Sequence, residues 1–163
     1  MNGVRELHSS VFFRMPKIKE IKLKIESVIE NIGESGLPEG ESERTVTESC
    51  GFIHYTENGI LLTYSESTDS GDVYSDITYS DGEVWVKRRG ALVSELFFKE
   101  GEEHTSIYEI PPYKFDATVK TRKIRVALSD EGGQISLFYN MKIGGAEKSA
   151  RMKIWISTLS EQN

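Results

Sequence analysis

The chain has 163 residues, of which 37% are hydrophobic, and a formal net charge of −6, with an isoelectric point near 5.2. That length fits one domain, and the modest apolar content suits a single sheet closed on itself, in which every second residue faces water. The acidity argues against a dedicated nucleic-acid binder, whose domain isoelectric point typically lies above about 9. The single cysteine, Cys50, excludes an intramolecular disulfide and a four-cysteine zinc site, and points to a reducing, cytoplasmic setting.

At the N-terminus, Val11-Phe12-Phe13 is interrupted by Arg14 and is too short for a signal-peptide core. No apolar run approaches the roughly 20 residues that cross a bilayer, so no membrane partner is expected. Residues 1–16 read as an N-terminal appendage or arm, 17–158 as a single β-barrel domain and 159–163 as a C-terminal tail.

Period-two alternation dominates from Ile18 onward. In Ile18 to Glu30, the residues Ile21, Leu23 and Ile25 alternate with Lys22, Lys24 and Glu26, which leaves no helical stripe and predicts a strand. Gly33 to Glu41, with three glycines and Pro38, predicts a polar loop. Thr45 to Cys50 and Phe52 to Glu57 predict one long strand bent by a bulge at Gly51. Asn58-Gly59 carries the strongest hairpin signal, since a type I′ turn needs positive φ at both central residues, and it leads into Ile60–Ser67. Asp69 to Asp72 turns into Val73–Tyr79, and Asp81-Gly82 into Glu83–Arg88. Arg89-Gly90 precedes Leu92–Phe98, and Glu100-Gly101 precedes Thr105–Ile110. Pro111-Pro112 lacks two ladder donors and must break or bend the chain before Tyr113–Thr121 and Ile124–Leu128. Gly132-Gly133 and Gly144-Gly145 then bracket Ile135–Ile143, and Ser149–Ser157 closes the series. The fold class expected is all-β, a closed antiparallel up-and-down barrel of about 8–10 strands, because tight hairpins favour a meander and closure removes its edges.

Several segments, in order, carry a family resemblance: IKLKIESVI from Ile21 to Ile29, GFIHYTENGILLTY from Gly51 to Tyr64, GEVWVKRRG from Gly82 to Gly90, Thr105 to Tyr108, and GQISLFYNM from Gly133 to Met141. The most specific matches are Arg88 with Gly90 two residues on, and Gly133-x-Ile-x-Leu-x-Tyr139. The set, spanning Ile18 to Ile156, resembles the YwiB-like family of small bacterial proteins of unknown function. The resemblance implies a calycin-type, lipocalin-like barrel and brings no established activity. The chain departs from it at Pro111-Pro112, where similar segments tend to have an aromatic-glycine turn, which leaves the register there open.

Candidate chemistry centres on Arg88. Val84, Val86 and Arg88 share one face of a strand, so valines that line the barrel draw Arg88 inward. An inward guanidinium needs an anionic partner. That partner is the head-group of a small, partly apolar ligand, or a carboxylate of the chain such as Glu66 or Glu95, unless the arginine sits in water at the rim. Tyr64, Tyr79, Tyr108 and Tyr139 either contact such a ligand with ring and hydroxyl or simply pack. Thr105 and Thr121 are further candidate donors.

The histidines, His8, His54 and His104, have no metal-binding spacing, and neither a serine-nucleophile elbow nor a phosphate-loop glycine pattern occurs. Cys50 lacks a charged neighbour in sequence that would activate it. No metal, no cofactor and no catalytic residue are expected. Two basic clusters, Lys17–Lys24 and Lys120–Arg125, read as solvated strand faces, with single-stranded nucleic acid as the lesser alternative. The expected function is binding of a small anionic or hydrophobic ligand. The alternative is a filled barrel that serves as an interaction module, with a homodimer among its partners.

Overall fold

In the computed structural model, residues 17–159 are described. The arm expected over residues 1–16 and most of the expected tail lie outside them. Ten strands follow in chain order: β1 (Lys17–Ile32), β2 (Pro38–Tyr55), β3 (Gly59–Thr68), β4 (Gly71–Ser80), β5 (Glu83–Gly90), β6 (Val93–Lys99), β7 (Glu103–Ile110), β8 (Tyr113–Ser129), β9 (Gly132–Ile143) and β10 (Ala146–Thr158). Each pairs antiparallel with its sequence neighbours, and β1 pairs with β10 from Ile21↔Thr158 to Asn31↔Lys148, closing an up-and-down barrel.

Alternation decides what faces in. On β1, β5 and β10, for example, Ile21, Leu23, Val84, Val86, Ile154 and Ile156 are buried while the intervening residues lie at or nearer the surface. The buried side chains form one continuous cluster that reaches Phe98 and Tyr139, whose rings meet edge to face at 4.9 Å. Each fully buried aliphatic or phenyl side chain there contributes about 1.5–3 kcal/mol.

Several local expectations change. The polar loop after β1 contracts to residues 33–37, because the β1–β2 ladder runs on to Ile32↔Pro38 even though Pro38 to Arg44 bury nothing. Backbone pairing, not packing, holds that hairpin. No bulge occurs at Gly51: the register with β1 is continuous there and shifts instead between Ile29 and Asn31. β2 ends at Tyr55 and β3 begins at Gly59, and the Thr56 N–H donates to the Gly59 carbonyl at 2.9 Å, so the turn centres on Glu57-Asn58 and not on Asn58-Gly59. The positive φ pair lies at Asp81 (50°) and Gly82 (80°), between the paired Ser80 and Glu83. Pro111-Pro112 itself forms the turn, since Ile110 pairs with Tyr113 and the ladder is unbroken back to Glu103↔Lys120. The segments expected as Tyr113–Thr121 and Ile124–Leu128 are one strand, β8, carrying a bulge between Thr121 and Lys123.

The two glycines of the specific motifs have steric causes. Gly90 has φ 101° and Gly133 has φ 144°, and a Cβ at either would collide with a backbone oxygen, of Asp72 and Ala127 respectively.

The closure has two weak places. Only Val93↔Glu109 and Ser94↔Tyr108 register between β6 and β7. β2 pairs with β3 only from Gly51 to Tyr55, so its Pro38–Cys50 stretch pairs with β1 alone and presents an edge defended by Glu39, Glu41, Glu43 and Glu48.

Phe98→Ala is expected to lower stability by about 3–5 kcal/mol in urea denaturation followed by circular dichroism. Ile107→Ala on the outer face should stay within about 0.5 kcal/mol of the parent. Equal effects at the two positions would contradict a packed interior.

Candidate functional site

The inward phase becomes polar at one end of the barrel. Cross-strand pairing carries a row from Tyr64 on β3 through Ser75, Arg88 and Ser94 to Tyr108 on β7. Across the interior, Thr121 on β8 pairs with Tyr139 on β9. Burial pushes the Tyr139 phenol up to about 12, the Arg88 charge pulls it back, and Tyr108 adds to the rise. These influences place Arg88, Tyr108 and Tyr139 in one neighbourhood.

Arg88, Tyr108 and Tyr139 are therefore neighbours, Thr121 stands beside Tyr139, and Tyr64 lies two strands from Arg88 in the same row. Tyr79 stands apart. It faces in, but its partners are Ile60 and Val84, at the apolar end. Thr105 is a correction of a different kind: it occupies the phase opposite to Ser106 and Tyr108, is exposed, and lies 2.8 Å from the Thr118 hydroxyl.

Neither internal carboxylate expected for Arg88 engages it. Glu95 points outward and pairs with Lys87 at 3.5 Å, and among the described residues no carboxylate comes within 4.0 Å of Arg88. The hydroxyls around it are also unmatched. Tyr64 Oη, Ser75 Oγ, Ser94 Oγ, Ser106 Oγ and Thr121 Oγ1 are buried without a hydrogen-bond partner. Leaving one such group unpaired costs about 1–3 kcal/mol. The three serines were absent from the candidates drawn from sequence. Their signal was phase: Ser75 falls between Val73 and Ile77, and Ser94 falls in step with Leu96 and Phe98.

Over the loose β6–β7 pairing lies a cleft of about 560 Å³, lined by the half-buried Arg88 with Ser94, Ser106 and Ile107, and also by the carboxylates of Asp76, Glu95 and Glu109 and the cations Lys87, Arg89 and Lys114. Tyr139, with its raised pKa, is held as the neutral phenol at neutral pH and offers less phenolate than a free tyrosine. Among the described residues no group of three or more His, Cys, Asp or Glu is placed to hold a metal ion. His104 packs instead against Phe97, with centroids 5.4 Å apart. Cys50 is exposed, and its cross-strand neighbour is Lys22, a contact that adjacency in sequence could not reveal.

A family model described as a domain of unknown function, DUF1934, matches residues 29–156. The chain belongs to the DUF1934 family. DUF1934 similarity extends to the uncharacterized beta-barrel protein YwiB of Bacillus subtilis (strain 168), 30% identical over 128 residues, covering 78% of this chain and 85% of that protein. The crystal structure of the ywiB protein from Bacillus subtilis superimposes with a TM-score of 0.77 at 28% identity, covering 88% of this chain and 94% of the other. These matches agree with the closed DUF1934 barrel described above and assign it no activity. No helix among the described residues is long and apolar enough to cross a membrane.

Tyr139 gives a direct test of the polar end. Its folded pKa exceeds the unfolded value near 10.0, so its contribution to stability is intact below pH 10 and is lost as pH rises toward about 12. The slope from this one group reaches about 1.4 kcal/mol per pH unit in that window. Tyr55 is also raised, by burial and by Asp130, so spectrophotometric titration should show Tyr139 as the last tyrosine to ionise, and Tyr139→Phe should remove that last step and the matching part of the alkaline destabilisation. A Tyr139 that ionises with the other tyrosines would contradict this environment.

Proposed function

We propose that the protein is a small-molecule-binding barrel whose polar end receives an anion at Arg88, in the manner of lipocalin-like carriers. The observation that carries this reading is the set of unpartnered buried hydroxyls around an arginine that has no carboxylate partner. In a folded protein such groups are nearly all satisfied, so a polar occupant is called for at this place. The packed apolar half leaves no role for a long chain threaded along the barrel axis. The ligand class is therefore a compact carboxylate or phosphate ester with a short apolar part. The single cysteine favours a cytoplasmic setting for this binding.

Native mass spectrometry of the protein purified from its own host is expected to show a non-covalent anion of small mass. Arg88→Met should lose it while keeping the circular dichroism spectrum of the parent. Ligand-free parent protein, with ordered water alone bridging the hydroxyls in a crystal structure, would defeat the reading. A companion measurement concerns the unpartnered hydroxyl of Thr121. Thr121→Val should raise the stability of the ligand-free protein by roughly 1 kcal/mol and weaken anion retention. A loss of stability instead would mean that the hydroxyl is satisfied without a ligand.

A second reading is an interaction module. It is favoured by exposed apolar side chains, Val93, Ile107, Ile110, Tyr113 and Phe115, gathered on β6, β7 and the start of β8 around the weakest pairing of the barrel. Sedimentation should then show a dimer that Ile107→Lys and Tyr113→Lys dissociate. A monomer at all concentrations would remove this alternative.

A further inference from the structure

The outward lysines of the first basic cluster, Lys22 and Lys24, and the cations of the second, Lys120–Arg125, about a hundred residues apart in sequence, are carried to one outer face. β1, β10, β9 and β8 are adjacent in the barrel and belong to its tall wall, with 16, 13, 12 and 17 residues against the 7 and 8 of β6 and β7. Their outward residues align in consecutive cross-strand rows. One row runs Lys24, Trp155, Gln134, Ala127, the next Glu26, Lys153, Ser136, Arg125, and the third Val28, Arg151, Phe138, Lys123. The β8 bulge adds Arg122 to the same region, also exposed.

The cations of this face lack carboxylate partners. Among the described residues none of Lys24, Arg122, Lys123, Arg125, Arg151 or Lys153 lies within 4.0 Å of a carboxylate oxygen. Glu26, the carboxylate in the middle row, is taken by Arg44 of β2. The Arg44 hydrogen bond chiefly, with charges on Arg44, Arg151 and Lys153 adding, holds Glu26 below the usual carboxylate range. A net charge of −6 for the chain thus conceals a locally positive wall.

Aromatic rings are interleaved with these cations. Lys24 Nζ lies 5.4 Å from the Trp155 ring centroid, and the Arg125 guanidinium 5.8 Å from that of Phe138. Both rings are partly exposed. Trp155 pairs with Gln134, four residues before Phe138 on β9, so the rings stand roughly 14 Å apart at about 3.4 Å per residue and 4.8 Å between strands. Shallow clefts adjoin each: one of about 410 Å³ lined by Trp155, Lys22, Lys24 and the carboxylate of Glu48, and one of about 290 Å³ between Phe138, Arg125 and Lys153. The Gln134 side chain donates to Ser136 Oγ at 3.0 Å.

We infer that this wall binds single-stranded nucleic acid, with phosphates along the lysine and arginine rows and bases stacked on Trp155 and Phe138. Charge complementarity selects a polyanion, and spaced aromatic faces select bases over acidic peptides or lipid head-groups, because every base offers a π-face to stack. Duplex is disfavoured, since its bases are already stacked on each other.

The test is fluorescence anisotropy of a labelled oligothymidylate of about twelve nucleotides with the full chain, across a salt series. Binding is expected to weaken steeply as salt rises, in the way phosphate neutralisation requires. Arg125→Glu with Lys153→Glu should weaken it at least about tenfold, and Trp155→Ala about five- to tenfold, from the loss of one stacked base. Lys87→Glu on β5, outside this face, should leave it unchanged, and circular dichroism establishes that each variant is folded. In a Trp85→Phe background, where Trp155 is the remaining tryptophan, the oligonucleotide should quench the emission. No binding at about 50 mM salt overturns the inference. So does binding of polyglutamate or phosphatidylglycerol vesicles as tightly as the oligonucleotide, with Trp155→Ala without effect. The outcome at Arg88 is independent of all these measurements.

Discussion

A sheet that closes on itself commits every second side chain to a volume that cannot widen, and this constraint governs the rest of the molecule. Inward positions must be apolar and mutually fitted, or polar and partnered. Around most of the barrel the first solution holds, from Ile21 on β1 to Ile154 on β10, with Phe98 and Tyr139 meeting at 4.9 Å. At one end neither solution is complete. Tyr64, Ser75, Ser94, Ser106 and Thr121 present hydroxyls that find no partner in the chain, and they do so around Arg88. Closure turns what would be surface serines in an open sheet into buried hydroxyls.

The outer phase of the same strands is free of that constraint, and it has been used differently on different walls. The edge of β2 left over beyond β3 carries glutamates, which discourage pairing with another chain. The wall of β1, β10, β9 and β8 carries the cations, with Glu26 neutralised by Arg44. The loose β6–β7 pairing exposes Val93 and Ile107. Alternation thus allows an acidic chain to keep a basic face, because inside and outside are selected residue by residue and one wall need not resemble the next.

The fold was legible in the sequence because its two determinants are local. Period-two alternation is visible in Ile21-Lys22-Leu23-Lys24-Ile25, and turn chemistry in Asp81-Gly82, whose φ values of 50° and 80° meet the hairpin requirement. The same reasoning misjudged Asn58-Gly59, where Gly59 already belongs to β3 and the Thr56 N–H bond to its carbonyl centres the turn on Glu57-Asn58. It also missed that Pro38–Arg44 could join a ladder without burying anything, since there the pairing partner β1 supplies all the stability. The phase of Arg88 was correctly readable from Val84 and Val86. Thr105 was placed inside against the phase of its own neighbours Ser106 and Tyr108.

Taken alone, the sequence determined the class of the fold, its hairpin order and which phase of each strand turns inward, because alternation and turns act within a dozen residues. Only the tertiary structure decided which inward residues meet: that Arg88 shares an end with Tyr139 but not with Tyr79, and that Glu95 is spent on Lys87 outside. It also decided that Lys22–Lys24 and Lys120–Arg125 share one wall. These facts depend on the register across ten strands and on the β1–β10 closure, which joins the two ends of the chain. No local pattern encodes that sum of pairings.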